Sequence, residues 1–476
     1  MFLRSVLPSF VADAIWPDHR TTYKLHPTSY LDGLRGIAAI IVCICHYTEN
    51  NHGALTNPYG VNGPSSWIQL PFLRILFSGR PMVHIFFVIS GFVLSVKPIK
   101  AIHAHDPEKV FVALSSSAFR RPIRLFGPCI ASTFLIMVAT QCGYMYTPAP
   151  TFAEQFWNWK DVAFHQITWP WSWDKDLRPG YDIHLWTIPI EYVHSMLLFM
   201  IILLLSRVRH VVRLSAVVGL ILYFLSCGKW AAFEFTAGLF LAECHVIRGP
   251  HAKIWESSEI LASYPPPKPW LGRVGWTILH ISIVATWLFI GGWPNMDGNI
   301  TPGIRWFLAA TPEPFASMDW LHPQKFWFGL SAAFAVWSIG ELRPLRKLLE
   351  GPVPQYYGRI SYAVYIMHGP VLDNTQRYVL GHPFLPAQGE FDTAEYIQAR
   401  PATGVRMFVG DETPVQRTVG WFMGLCLLGP LVIWAADVFW RWVDNPIIAL
   451  GRRVEMACLD DASEDYRPRQ GFALAA

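Results

Sequence analysis

The chain has 476 residues, of which 52% are hydrophobic and only 15% charged, with a mean hydropathy of +0.28. Soluble domains carry about 25% charged residues, so the composition excludes an ordinary soluble protein and points to an all-α polytopic membrane protein. The formal net charge of +4 gives no reason to expect nucleic acid as a partner.

The N-terminal stretch MFLRSVLPSFVADAIWPDHR is broken by Pro8, Asp13 and Pro17 and lacks the uninterrupted apolar core of a secretory signal. Residues 1–28 are therefore expected to form a cytosolic segment. Ten apolar stretches follow, centred on 33–48, 81–97, 123–143, 187–205, 211–227, 230–247, 275–293, 326–341, 359–379 and 418–440. Each approaches the roughly 20 residues that a membrane span needs. The fifth and sixth are separated only by Ser226–Lys229, a tight turn between antiparallel helices. The eighth and ninth are shorter and more polar than the rest. With the N-terminus in the cytosol, about two thirds of the 38 Lys and Arg fall on the cytosolic side, as the positive-inside rule requires. One membrane domain over 29–448 and a polar cytosolic tail over 449–476 account for the chain.

The connections are modest. The stretch 144–186 is rich in Trp (FWNWKD, TWPWSWDKD) and suits a membrane–water interface. Segment 248–274 contains the stiff run YPPPKPW, and segments 294–325 and 380–417 are long and rich in Gly, Pro and acidic residues. Eight cysteines show no CxxC pair and sit mostly in or beside apolar runs, so they read as small buried hydrophobes. No metal site and no bound cofactor are expected.

Polar residues within the spans carry the functional signal, because each ionisable group there costs on the order of 3 kcal/mol. In YLDGLRGIAAIIVCICHYTEN, Arg35 and His46 are eleven residues apart. On a helix they share a face, about 16 Å apart along the axis, and Asp32 lies where it can pair with Arg35. The second span, GRPMVHIFFVISGFVLSV, holds His84 and the small pair Ser90–Gly91. The third opens with Arg120, Arg121 and Arg124 in FRRPIRLFGP, a cluster suited to phosphate oxygens. The fourth begins HLWTIPIEYVHSMLL, with Trp186, a proline break and Glu191 inside an apolar run. The seventh holds His280, which has no assigned role, and the ninth, GRISYAVYIMHGPV, holds His368.

Taken in order, LDGLRGIAAIIVCICH, VHIFFVISGFVLS, RRPIRLFGP, LWTIPIEY and GRISYAVYIMHGPV resemble the motifs of the polytopic membrane acyltransferases called acyltransferase family 3. The resemblance covers about residues 29–448 and looks closest to the eukaryotic, fungal-like branch. It departs from the usual pattern at His84, where many members carry Asp, at Tyr192 in place of a second glutamate, and at Gly369 in place of an aromatic residue. These departures bear on the substrate more than on the reaction.

The resemblance implies transfer of an acyl group, most often acetyl, from acyl-CoA to a hydroxyl of a small-molecule or lipid acceptor at an endoplasmic-reticulum or plasma membrane. On that basis His46 is the candidate general base. Glu191 would orient the base if it faces it, and His368 is the competing base or an acceptor partner. Arg35 would guide the donor and Arg120, Arg121 and Arg124 would hold its phosphates, with Asp32, His84, Ser90, Gly91 and Trp186 lining the site. A transporter is the first alternative, since broken helices and polar spans serve carriers. A haem-bearing electron carrier is the second, although the span histidines are poorly matched in depth for paired ligation.

Overall fold

The computed structural model describes residues 6–16, 25–61, 63–256, 270–380, 409–410 and 412–459. All ten expected stretches are helical: α1 Ser29–Asn51, α2 Arg80–His103, α3 Pro107–Gln141, α4 Thr187–Leu204, α5 His210–Ser226, α6 Trp230–Glu256, α7 Trp270–Gly291, α8 His322–Glu341, α9 Pro352–Leu380 and α10 Pro414–Phe439. A further helix, α11 Asn445–Cys458, follows a single π-turn. There is no strand among the described residues, and the protein is an all-α polytopic membrane protein. Seven helices, α1 to α4, α6, α7 and the α10–α11 run, are long and apolar enough to cross a membrane. The 17-residue α5 is apolar but shorter.

Local chemistry sets the helix ends. Asp106 caps α3 by accepting from the Lys109 N–H at 3.0 Å, with Pro107 at the first helical position. Thr413 and Gln416 form a reciprocal capping box at the start of α10. The turn expected at Ser226–Lys229 joins α5 to α6 through Gly228 at φ +69°, a left-handed conformation that glycine adopts without strain.

The Trp-rich stretch is partly ordered into the helix Phe152–Val162 and short turns that end at Trp186, with Trp157 and Trp171 exposed. YPPPKP and most of 380–417 lie outside the described residues. The tail boundary at 449 falls inside α11, whose Glu455 meets Arg120 of α3 at 3.0 Å. At the other end of the chain, Ser9 bonds Asp437 of α10 through its N–H (3.0 Å) and its hydroxyl (2.6 Å).

α1 and α9 run the same way, since Gly36 meets Gly358 and, further along both helices, His46 meets His368. They approach closely because three glycines lie between them. A Cβ on Gly36 would sit 2.3 Å from the Gly358 nitrogen and one on Gly358 2.3 Å from the Asp32 carbonyl oxygen, while one on Gly33 would lie 3.1 Å from Pro354 Cβ of α9 and 2.0 Å from the carbonyl oxygen of Leu349, just before α9. Small residues are how helices pack tightly where lipid supplies no hydrophobic drive between them. The parallel pair α2 and α6 repeats the device: Cβ atoms on Gly91 and Gly238 would fall 2.3 Å from the Phe235 oxygen and 2.4 Å from the Val88 oxygen. Gly91 is thus a packing contact.

Gly36→Ala is expected to destabilise the protein by about 1–3 kcal/mol, because backbone must move to admit the methyl group. Gly219→Ala, on an open face of α5 with nothing within 4 Å, should be neutral or stabilising. Thermal unfolding of both variants in detergent, compared with the parent protein, checks the contrast.

Candidate active site

The parallel run of α1 and α9 fixes what lies at each level of the pair. At the lower level Arg35 reaches Asp32 (3.6 Å) on its own helix and the Ser361 hydroxyl (3.5 Å) on α9. Eleven residues further along α1, His46 stands beside His368, with ring centroids 5.2 Å apart. The turn before α4 adds His184, centred 4.2 Å from His46 and 4.7 Å from His368. The three imidazoles offer ring nitrogens that all lie within 4.8 Å of one another.

Each ring is held through Nδ1. His368 donates from Nδ1 to the Tyr365 carbonyl at 2.6 Å. His184 places Nδ1 2.8 Å from Asp182 Oδ1, which also accepts the His184 backbone N–H at 3.0 Å. His46 Nδ1 lies 3.4 Å from Glu49, itself fixed by the Asn295 amide at 2.5 Å. With the protons on Nδ1, Nε2 is the nitrogen of each ring that keeps a lone pair.

Access distinguishes the three. His368 is 0% exposed and its Nε2 has no partner, whereas the His46 side chain keeps 30% of its surface open. His46 and His184 form part of the floor of a cavity of about 1360 Å³ on this side of the bundle. Its walls include Trp186, Trp230, Phe328 and Lys325.

The glycine after His368 explains how His184 fits. A Cβ on Gly369 would fall 2.5 Å from His184 Nδ1 and 3.0 Å from Asp182 Oδ1. The Asp–His pair therefore packs into the space that an aromatic side chain at 369 would fill. It has little freedom to retreat, since the Tyr365 hydroxyl bonds the His184 carbonyl and lies 2.6 Å from the Thr187 hydroxyl.

The remaining expected site residues fall elsewhere. Glu191 does not serve as the carboxylate beside His46: its carboxylate pairs with buried Arg121. A carboxylate inside a bundle is held by the nearest guanidinium, and α3 supplies one at that depth. Arg120 is engaged by Glu455 and by the Ser116 carbonyl at 3.2 Å. Arg124 lies in the electrostatic field of Arg35, Arg121 and Asp444. His84 pairs with Glu234 at 2.5 Å and lines the cavity. His280 bonds Ser338 at 2.9 Å between two tryptophans, Trp276 and Trp337. Glu49, Asp182 and His184 were not singled out as site residues. The signals available were the YDIH run just before LWTIPIEY and a glutamate three residues after His46.

Residues 28–441 match the acyltransferase domain of acyltransferase family 3. The chain belongs to this acyltransferase family. Among curated relatives, it is 30% identical over 424 residues to O-acetyltransferase PaAT-1 of Phomopsis amygdali, covering 81% of this chain and 80% of that one. It is 23% identical to Acyltransferase clz18 of Cochliobolus lunatus (88% of this chain, 94% of the relative) and 23% identical to Acyltransferase R4 of a Phoma strain (72% and 82%). No solved structure matches it. Family membership makes the protein a membrane transferase and sets the transporter and haem readings aside.

In this acyltransferase, Gly369→Ala is expected to push His184 and Asp182 off α9, lowering transferase activity at least tenfold with a modest loss of stability. Activity and melting temperature measured on the same preparation check it.

Proposed function

We propose that the protein transfers an acyl group, acetyl in the first instance, from acyl-CoA to the hydroxyl of a small-molecule or lipid acceptor, with His46 as general base. The observation that carries this reading is the position of His46. It alone of the three clustered histidines is both substantially open to the cavity and on the face of α1 that leads to Arg35.

The acceptor occupies the cavity above the cluster and hydrogen-bonds its hydroxyl to His46 Nε2. The hydroxyl oxygen attacks the thioester carbonyl carbon as Nε2 takes the proton, the carbon–sulfur bond breaks, and the proton passes to the departing thiolate. Glu49 beside Nδ1 stabilises the charged imidazolium formed on the way, the part a carboxylate plays in other histidine-dependent transfers. His368 is the second candidate base, and its complete burial places it behind His46.

The donor enters from the Arg35 end, which this reading places on the cytosolic side. There Arg35 and Arg124 lie in each other's field, so anionic phosphates relieve the repulsion between the two guanidiniums. Arg121, committed to Glu191, holds the bundle together and contributes field rather than contact. The cavity walls of Trp186, Trp230 and Phe328 with Lys325 suit an acceptor that has an apolar body and polar substituents.

His46→Ala, shown to be folded, is expected to lose about a hundredfold to ten-thousandfold in transfer rate; full retention of activity would refute its role as base. Calorimetry with acetyl-CoA should show Arg35→Ala and Arg124→Ala each weakening binding tenfold or more, about 1.4 kcal/mol. Unchanged affinity in both variants would overturn the donor path. Glu191→Ala should instead lower the melting temperature, leaving Arg121 buried without its partner at a cost of about 3–5 kcal/mol.

A further inference from the structure

The three-histidine cluster has chemistry beyond proton transfer. Among the described residues it is the one place where three side chains with metal-ligand atoms come together. The Nδ1 partners of His184 and His368, an aspartate and a backbone carbonyl, are those that hold and orient histidine ligands in zinc sites, leaving Nε2 for the ion. Nε2 of His368 is buried and has no hydrogen-bond partner, a costly state for a nitrogen lone pair unless something electrophilic meets it. Asp182 and Glu49 stand behind two of the rings, so the surroundings favour a positive charge at the centre.

We propose that the cluster binds a transition-metal dication of the zinc class through Nε2 of His46, His184 and His368, and that this ion and acyl transfer compete for the His46 lone pair.

The donor set selects the class of ion. Three imidazoles suit zinc, cobalt, nickel and copper, while magnesium and calcium prefer oxygen ligands and are not bound here. Zinc–nitrogen bonds of about 2.0–2.1 Å need the nitrogens roughly 3.3 Å apart. Ring nitrogens of the three histidines already lie within 4.8 Å of one another, so rotation of the rings about their side-chain bonds is the adjustment that binding requires. Three protein ligands leave a fourth position facing the cavity. An ion seated there removes the base, so the metal-bound protein is inactive and a chelator restores it. The competition rests on the acyl-transfer reading; the binding does not.

The test uses full-length protein in detergent, freed of any affinity tag and of metal by chelation, and titrated with Zn2+ by calorimetry and with Co2+ by visible absorption. One equivalent is expected to bind at micromolar or tighter affinity, with the intense bands of four-coordinate Co2+. His184→Gln and His368→Gln should each weaken binding tenfold or more, and Asp182→Asn about tenfold. His165→Ala, on an exposed turn, should leave binding unchanged, and Mg2+ should give no heat. Absence of stoichiometric binding by folded protein, or equal binding by both cluster variants, overturns the site. Acyl transfer measured on the same samples should fall in proportion to Zn2+ occupancy and return with chelator. Activity that is unchanged or increased by the ion overturns the competition and the His46 base assignment together, while leaving the site. An inactive preparation that still binds one ion separates failure of the acyl-transfer reading from failure of the metal site.

Discussion

The backbone contact between α1 and α9 is the constraint from which the rest of the site follows. Gly33, Gly36 and Gly358 remove the side chains that would keep two helices at ordinary spacing. Because the helices run parallel, their registers stay locked over several turns. Arg35 therefore meets Ser361 at one level and His46 meets His368 at another, without any residue between them having to be polar. A lateral contact between glycines at one end fixes a side-chain constellation at the other.

Ionisable groups elsewhere in the bundle are mostly consumed by one another. Arg121 takes Glu191, His84 takes Glu234, and Arg213 and His103 share Glu243 at 2.6 and 2.8 Å. Such pairs offset their own desolvation and can be retained for helix register rather than chemistry. Against that background two places differ. At one, the Arg35 and Arg124 guanidiniums lie in each other's field with a single carboxylate, Asp32, paired to Arg35; at the other, three imidazoles gather and the buried Nε2 of His368 has no partner. The pairing state, more than the presence of a charge in a span, separates structure from function here.

How much of this could be read from the sequence depends on whether the relation is local. The ten helices were legible because apolar length is a property of contiguous residues, and the Arg35–His46 relation because both sit on one helix. The basic cluster was visible as a cluster, but its division of labour was not: Arg120, Arg121 and Arg124 differ only in which neighbour each meets across the bundle. Glu191 shows the same limit, since its position beside a proline break does not reveal that α3 presents a guanidinium at its depth. His184 and Asp182 were harder still. They arrive on a turn, where periodicity says nothing about direction, and their place beside His46 is decided by tertiary packing against α9.

Gly369 gives this last arrangement a reach beyond one protein. The space beside α9 holds either a side chain from position 369 or the Asp182–His184 pair, and it does not hold both. Positions 182, 184 and 369 thus constrain one another in this protein, even though 369 sits far from the other two along the chain. A relative with an aromatic residue after its late histidine has to build the neighbourhood of the first histidine from other groups.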